Sequence, residues 1–377
     1  MDQEKKKRLW QEWAPVVVSA LVLVLLLLLP TGFEDAIIYK GTDRARAEVL
    51  ATNDSHIIDT GLVRSGEQTC TLKLLNGKFE GQTVEGYNIL NGSLESDKVF
   101  QVGDTALVVI SYQDDEVLSV NMIDHYRMDK ELLLGLLFAV FLVVVAGKTG
   151  IRAILSFVVT ILAIWKILVP GLLNGYQPVF LGLLLTTALT ILIISLVFGF
   201  DRRTASAVGG SVAGLLVTAV IGIVFTDLFQ IHGAVMPYAE SLLYSGYAHL
   251  NLTQIFMASI FIGASGAVMD LSVDITSAVW EVVQKKPDIG PWEAVKSGLN
   301  VGRAAMGTMT TTLLLAYSGG YVASLMVFMA QGTPVDNILN YKYVAAEILD
   351  TVVGSFGLVS VAPLTALFAG ILLTNQD

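Results

Sequence analysis

The sequence predicts an all-α polytopic membrane bundle of about eight transmembrane helices, with a small extracytoplasmic β-barrel of the OB or SH3-like kind inserted between helices 1 and 2. Three observations lead there. The chain of 377 residues is 54% hydrophobic and only 15% charged, where soluble domains average about 25% charged. Its apolar residues gather into membrane-length runs. One long segment, residues 31–131, departs from that pattern and alternates instead.

The start of the chain is short and basic, with Lys5, Lys6, Lys7 and Arg8 before the apolar run Ala14–Leu29 and Pro30. No A-x-A-like cleavage site follows the run, so it reads as an uncleaved first helix rather than a secretory signal. Within the next segment, Ala45–Leu50 reads as a strand. Thr69–Leu75 reads as another and leads into Asn76-Gly77, a type I′ hairpin signal. Val99–Asp104 enters a turn before a strand over Thr105–Tyr112, and Leu118–Tyr126 alternates again. Five or so short strands in about 90 residues predict a small barrel.

Seven further apolar runs follow: Leu132–Ala146 (extended back through Met128), Ile151–Val169, Val179–Phe198, Ala205–Phe225, Ile255–Met269, Ala304–Ala330 and Ile348–Leu373. The domains are therefore residues 1–30, a cytoplasmic tail and first helix; 31–128, the β domain; and 129–377, a bundle of seven helices. With the N-terminus inside, the inner short segments carry twelve Lys/Arg: Lys5, Lys6, Lys7, Arg8, Lys148, Arg152, Arg202, Arg203, Lys285, Lys286, Lys296 and Arg303. The opposite short loops carry only Lys166 and Lys342. That asymmetry puts both termini in the cytoplasm and the β domain outside.

Residues 31–131 hold eighteen Asp/Glu against nine Lys/Arg, so nearly all of the net charge of −10 sits on this outer segment. It offers neither a basic groove nor stacked aromatics for nucleic acid. A rigid lid or docking module is the expected role. The single cysteine, Cys70, excludes an intrachain disulfide, and four scattered histidines form no cluster. No cofactor is expected, and no Walker loop, nucleotide fingerprint or His-Glu-x-x-His motif points to an enzyme. An intramembrane aspartyl pair of Asp270 with Glu347 or Asp350 would place its members near opposite faces of the membrane.

The chemistry lies in the last three apolar regions. Asp270 and Asp274 are four apart on one helix face, and Glu281 joins the stripe if the helix runs on. Small residues, among them Gly263 and Gly266, precede them. A charged group at this depth costs about 2.5–3.5 kcal/mol on insertion scales, so it is expected to meet a partner, a cavity or an ion. The next run contains Gly307, Thr308, Thr310 and Thr312, then Gly319 and Gly320, where a break is expected; Arg303 is the nearest cation to the acids. Glu347 and Asp350 open the last run, and Pro363 can kink it. Gly210 and Gly214 form a small-xxx-small pair that predicts close helix packing.

The runs Gly263–Glu281 and Asn300–Gly320, with the small β domain after one helix, resemble the YibE/F-like family of bacterial multipass membrane proteins. The resemblance covers essentially the whole chain. The family's run carries Asn where Thr311 stands, so Thr311 is left out of the candidate ligands. The resemblance implies the fold and a bacterial cell membrane location, and leaves the substrate open. The expected function is a transporter or channel-like permease for a small solute or ion. Asp270, Asp274, Glu281, Glu347, Asp350 and the three threonines would form its binding groups, with Arg303 balancing charge. The alternative is a membrane scaffold whose β domain docks a partner. Expected partners are the bilayer, the solute or ion, and a second copy or another membrane protein.

Overall fold

A computed structural model of the chain describes residues 2–35 and 41–374. The side chains of residues 2–9 and 12 fall outside the described ones, and with them those of Lys5–Arg8. Lys40 also lies outside the described residues. The chain forms two compact units, Glu34–Val145 and the pair of segments Met1–Phe33 and Ala146–Asp377.

The first unit is built on five strands: β1 (Thr42–Asp59), β2 (Arg64–Leu74), β3 (Thr83–Asn91), β4 (Thr105–Gln113) and β5 (Glu116–His125). They close in the order β1-β2-β3-β5-β4, with β3 and β5 parallel at Tyr87 and Asn121 and the other pairs antiparallel. This is the order of an OB barrel. Alternation fills it. Ala45, Ala47 and Val49 from β1 and Cys70, Leu72 and Leu74 from β2 meet Phe100, Val108, Ile110, Val120 and Met122 inside. Burial, with the nearby Asp54 charge, pushes the Cys70 thiol up to about 11.

Beyond a register shift between Val49 and Ala51, β1 leaves β4 and pairs with β2 alone out to Asp59. Gly66 sits at a second irregularity, with φ +108° and the His56 carbonyl 2.1 Å from where a Cβ would stand. Only glycine fits there.

Two buried amides lock the barrel. The Gln68 side chain accepts from the Phe100 amide at 2.9 Å and donates to the Phe100 carbonyl at 2.9 Å. Asn88 donates to Gln68 at 3.1 Å and to the Lys98 carbonyl at 2.7 Å. Together they pin the connection before β4 to strands β2 and β3.

The hairpin expected at Asn76-Gly77 takes a different form. The β2–β3 pairing ends at Lys73 and Thr83, so the connection is longer than a two-residue turn. Asn76 instead accepts from the Arg46 amide at 2.6 Å, and Asp43 accepts from the Lys78 amide at 2.8 Å. These tertiary hydrogen bonds to β1 decide the turn over its local preference. Strand β3 itself was hidden because Gly86 and Asn88 interrupt its apolar pattern. The Leu72 side chain occupies the space beside Gly86, and Asn88 is buried in the amide network.

The helices are α1 (Asp2–Leu28), α2 (Met128–Ala146), α3 (Lys148–Leu173, with a π turn over Ile164–Leu168), α4 (Pro178–Phe198), α5 (Arg202–Leu228), α6 (Leu252–Lys285), α7 (Pro291–Ser318), α8 (Val322–Ala330) and α9 (Lys342–Thr374). Among the described residues, six segments are long and apolar enough to cross a membrane, α7 and α8 counting as one. The first two of the eight expected spans are shorter: the apolar part of α1 is Trp13–Leu28, and α2 opens on Asp129, Lys130 and Glu131. The run expected to end at Met269 continues unbroken to Lys285. Helix α7 gives way to a 3-10 turn at Gly319–Tyr321, at the expected break. Helix α9 continues through the outward-facing Pro363.

Helix α9 is the centre of this unit. Its Val361, Ala362, Ala366 and Ala369 pack with Leu215 of α5, with Leu271, Ile275 and Val279 of α6, and with Ala294 and Val295 of α7. Glycines set the spacing. A Cβ on Gly210 would fall 2.0 Å from the Thr365 hydroxyl, and one on Gly357 1.9 Å from the Thr218 hydroxyl. The backbones of α5 and α9 can approach this closely only without those side chains. A buried chain of hydrogen bonds adds to the contact: Thr365 donates to Ser272 at 3.1 Å, and Ser272 donates to the Ala207 carbonyl at 2.6 Å.

Candidate functional site

Contacts between helices define levels within the bundle. A Cβ on Gly354 of α9 would touch Leu313 of α7 and Ala264 of α6, and Gly302 of α7 faces Ile275 and Ala362. Helices α6 and α9 therefore run the same way, with α7 opposed. Gly222 of α5 faces Val353 of α9 and Ile260 of α6. One turn from these contacts, toward the start of α9, lie Asp350 of α9, Tyr317 of α7 and Thr226 of α5. Asp350 Oδ1, Tyr317 Oη and Thr226 Oγ1 are all buried and have no hydrogen-bond partner among the described residues. An unsatisfied buried polar group costs about 1–3 kcal/mol.

Around them stands a second pair. Tyr321, in the 3-10 turn, donates to Glu347 Oε1 at 2.8 Å. The Tyr317 and Tyr321 hydroxyls both lie within electrostatic reach of Glu347 and Asp350. A cleft of about 230 Å³ opens beside Tyr317, Tyr321, Glu347 and Thr351. The break at Gly319–Tyr321 aims Tyr321 at α9, and i,i+3 spacing puts Glu347 and Asp350 on one face. The Tyr317 hydroxyl also points at Gly263: a Cβ there would lie 2.7 Å from it.

The other acids lie toward the far end. Asp350 is four residues before Gly354 and Asp270 six after Ala264, so about 15 Å of helix rise separates them at 1.5 Å per residue. Asp270 and Asp274 flank Ser272, whose side chain is buried against α5, and both carboxylates face the opposite way and are exposed. The stripe reads Gly263, Gly266, Asp270, Asp274, Ser277 and Glu281, all exposed. Gly263, Gly266 and Met269 border a cleft of about 340 Å³ shared with Thr160 and Ile164 of α3 and Thr186 of α4. Glu281 is bound to Lys285 at 2.7 Å.

The remaining candidates are placed as follows. Arg303 is exposed and forms no ion pair among the described residues. Thr308, Thr310 and Thr312 donate to carbonyls of their own helix, at Ala305, Met306 and Thr308, at 2.9–3.0 Å. Their hydroxyls are thereby engaged locally. Open space surrounds Gly266, Gly307, Gly319 and Gly320, whereas Gly263 stands against Tyr317. Glu347 and Asp350 come together with Tyr317 and Tyr321; Asp270 and Asp274 form a separate group. Sequence reasoning missed Tyr317, Tyr321 and Thr226. The tyrosines flank the Gly319-Gly320 break, which was the available signal. A lone threonine in an apolar run gave none.

A six-span helical unit with acids at two levels, joined in one chain to an OB barrel, defines a polytopic membrane protein. The chain belongs to the YibE/F family: the model of the YibE/F-like protein matches residues 134–375, and that of the YibE/F family N-terminal domain matches residues 40–126. No curated protein and no solved structure matches it.

Proposed function

We propose that this chain is a permease of the bacterial cell membrane that moves a small cation or proton. The path runs along the open face of α6, between the tyrosine–carboxylate cluster and the Asp270–Asp274 pair. One observation carries the reading. The face of α6 turned away from the bundle core combines glycine with carboxylates, Gly263, Gly266, Asp270 and Asp274, where a lipid-facing helix would present bulky apolar groups. Hydrocarbon against Asp270 would cost about 2.5–3.5 kcal/mol, so water along that face is the favoured neighbour. Gly263 links the two ends, since a Cβ there would meet the Tyr317 hydroxyl at 2.7 Å and the residue borders the α3–α4 cleft.

In this reading Asp270 and Asp274 hold the cation at one mouth and Glu347 and Asp350 at the other. Both termini lie in the cytoplasm and the barrel outside, which rests on the Lys/Arg asymmetry of the short loops. The test is ion uptake into proteoliposomes, with rubidium, sodium and an internal pH dye as probes. Asp270→Asn is expected to bring uptake to the rate of empty vesicles at equal protein incorporation. Undiminished uptake of every probe in that variant removes the reading.

A further inference from the structure

The geometry points to a binding site for a small monovalent cation formed by Asp350 of α9, Tyr317 of α7 and Thr226 of α5, a site that deepens the permease reading by naming its ligand class. Three buried oxygens from three helices reach one level of the bundle, none with a hydrogen-bond partner among the described residues. Thr226 is fully buried, at 0% exposure. Among the described residues its hydroxyl is engaged neither by its own helix nor by a neighbour, unlike Thr218, which donates to Gly214 one turn back.

The donor set selects the ligand. All available groups are oxygens, which suit a hard cation. The charges acting on Tyr317 and Tyr321 are those of two carboxylates, Glu347 and Asp350, so an anion is disfavoured. A divalent ion collects six to eight oxygens, commonly from several carboxylates. Here Glu347 Oε1 is already engaged by Tyr321, and no group of three or more His, Cys, Asp or Glu that could hold a metal occurs among the described residues. One free carboxylate oxygen with two neutral hydroxyls matches a single positive charge. Tyr321 and Glu347, joined by their hydrogen bond, line the 230 Å³ cleft together with Tyr317.

The experiment is the thermal unfolding midpoint of the purified full-length chain in detergent, with sodium or potassium chloride replacing choline chloride at constant ionic strength. A ligand that binds only the folded state raises the midpoint in a saturable way. Sodium or potassium is expected to do so for the wild type and for Asp336→Asn, an exposed acid beyond the site. Asp350→Asn is expected to abolish the response. Thr226→Val and Tyr317→Phe should raise the half-saturating concentration at least tenfold, and Thr226→Ser should restore it. An equal response in wild type and Asp350→Asn, or none with either salt, overturns the site. A response to magnesium or calcium chloride alone overturns the ligand class. The permease reading is judged separately: binding without uptake sinks transport and keeps the site, whereas uptake with no cation response sinks the site and keeps transport.

Discussion

The barrel and the bundle bury polar side chains to opposite effect. In the barrel, Gln68 and Asn88 are fully buried; the Gln68 amide and the Asn88 NH2 group are spent on the Phe100 and Lys98 backbone and on each other, while Asn88 Oδ1 has no partner among the described residues. In the bundle, Ser211 and Thr276 each keep an open hydroxyl, and Asp350, Tyr317 and Thr226 keep buried oxygens at a common level, none with a partner among the described residues. The first arrangement fixes a connection between strands. The second is held in place by glycine-spaced helices such as α5 and α9, which supply stability without help from those oxygens. Buried amides that bind a neighbouring connection act as architecture, and open oxygens from three helices at one level offer a place for a ligand.

The sharpest way to break this contrast is to remove one group from each side. Asp350→Asn should lower cation uptake at least 100-fold while leaving the unfolding midpoint in choline unchanged or raised, because a neutral amide at that depth is cheaper to bury than a carboxylate. A large fall in that midpoint would put Asp350 among the structural groups. Gln68→Leu should do the reverse. It leaves the Phe100 amide and carbonyl without partners, a loss of about 2 kcal/mol. Cys70, the only cysteine and fully buried, reports on barrel opening in the intact chain. Its labelling by a thiol reagent should accelerate roughly 30-fold, at 1.4 kcal/mol per factor of ten, with uptake retained. Unchanged labelling would mean that the amide network contributes nothing.

Two smaller effects sharpen the comparison. Gly357→Val would force α5 and α9 apart at Thr218 and should cost about 1–3 kcal/mol, in the range of overpacked cores. A detergent-solubilised variant melting several degrees lower would agree; an unchanged midpoint would show that the crossing can relax. The least effect is expected from acid on the barrel. The Gly61 amide and the Arg64 guanidinium hold Asp59 below the usual carboxylate range, as the Asn91, Ser93 and Gly92 amides do for Asp97 and the Arg127 guanidinium does for Asp124. A depressed folded-state value adds stability above the unfolded value of about 4 and loses it as pH falls through the folded one. Cys70 labelling by dithiodipyridine, referenced to a free thiol peptide, should therefore rise only a few-fold between pH 5 and 3, because these carboxylates are largely solvated. A pH-independent rate would contradict the sign.

How much of this was legible in the chain depends on how local the cause is. The apolar runs, the break at Gly319-Gly320 and the alternation of Ala45–Leu50 and Thr105–Tyr112 follow from neighbours in sequence, and the structure repeats them. The Asn76-Gly77 turn and strand β3 were decided by partners far along the chain, Arg46 and Asp43 for the one and Leu72 and Gln68 for the other. The site divides in the same way. Glu347 and Asp350 were visible because acids in an apolar run stand out. Thr226 was not, since its distinction lies in what fails to meet it from α6 and α9. The i,i+4 spacing of Asp270 and Asp274 was readable, but which way that face turned depended on Ser272 and the packing of α6 on α5.

The most direct test of the central claim is sodium uptake into proteoliposomes under an inside-negative potential, comparing the wild type with Asp350→Asn at matched incorporation. Saturable uptake by the wild type and none above empty vesicles by the variant is the predicted result. Equal uptake by the two proteins would contradict it.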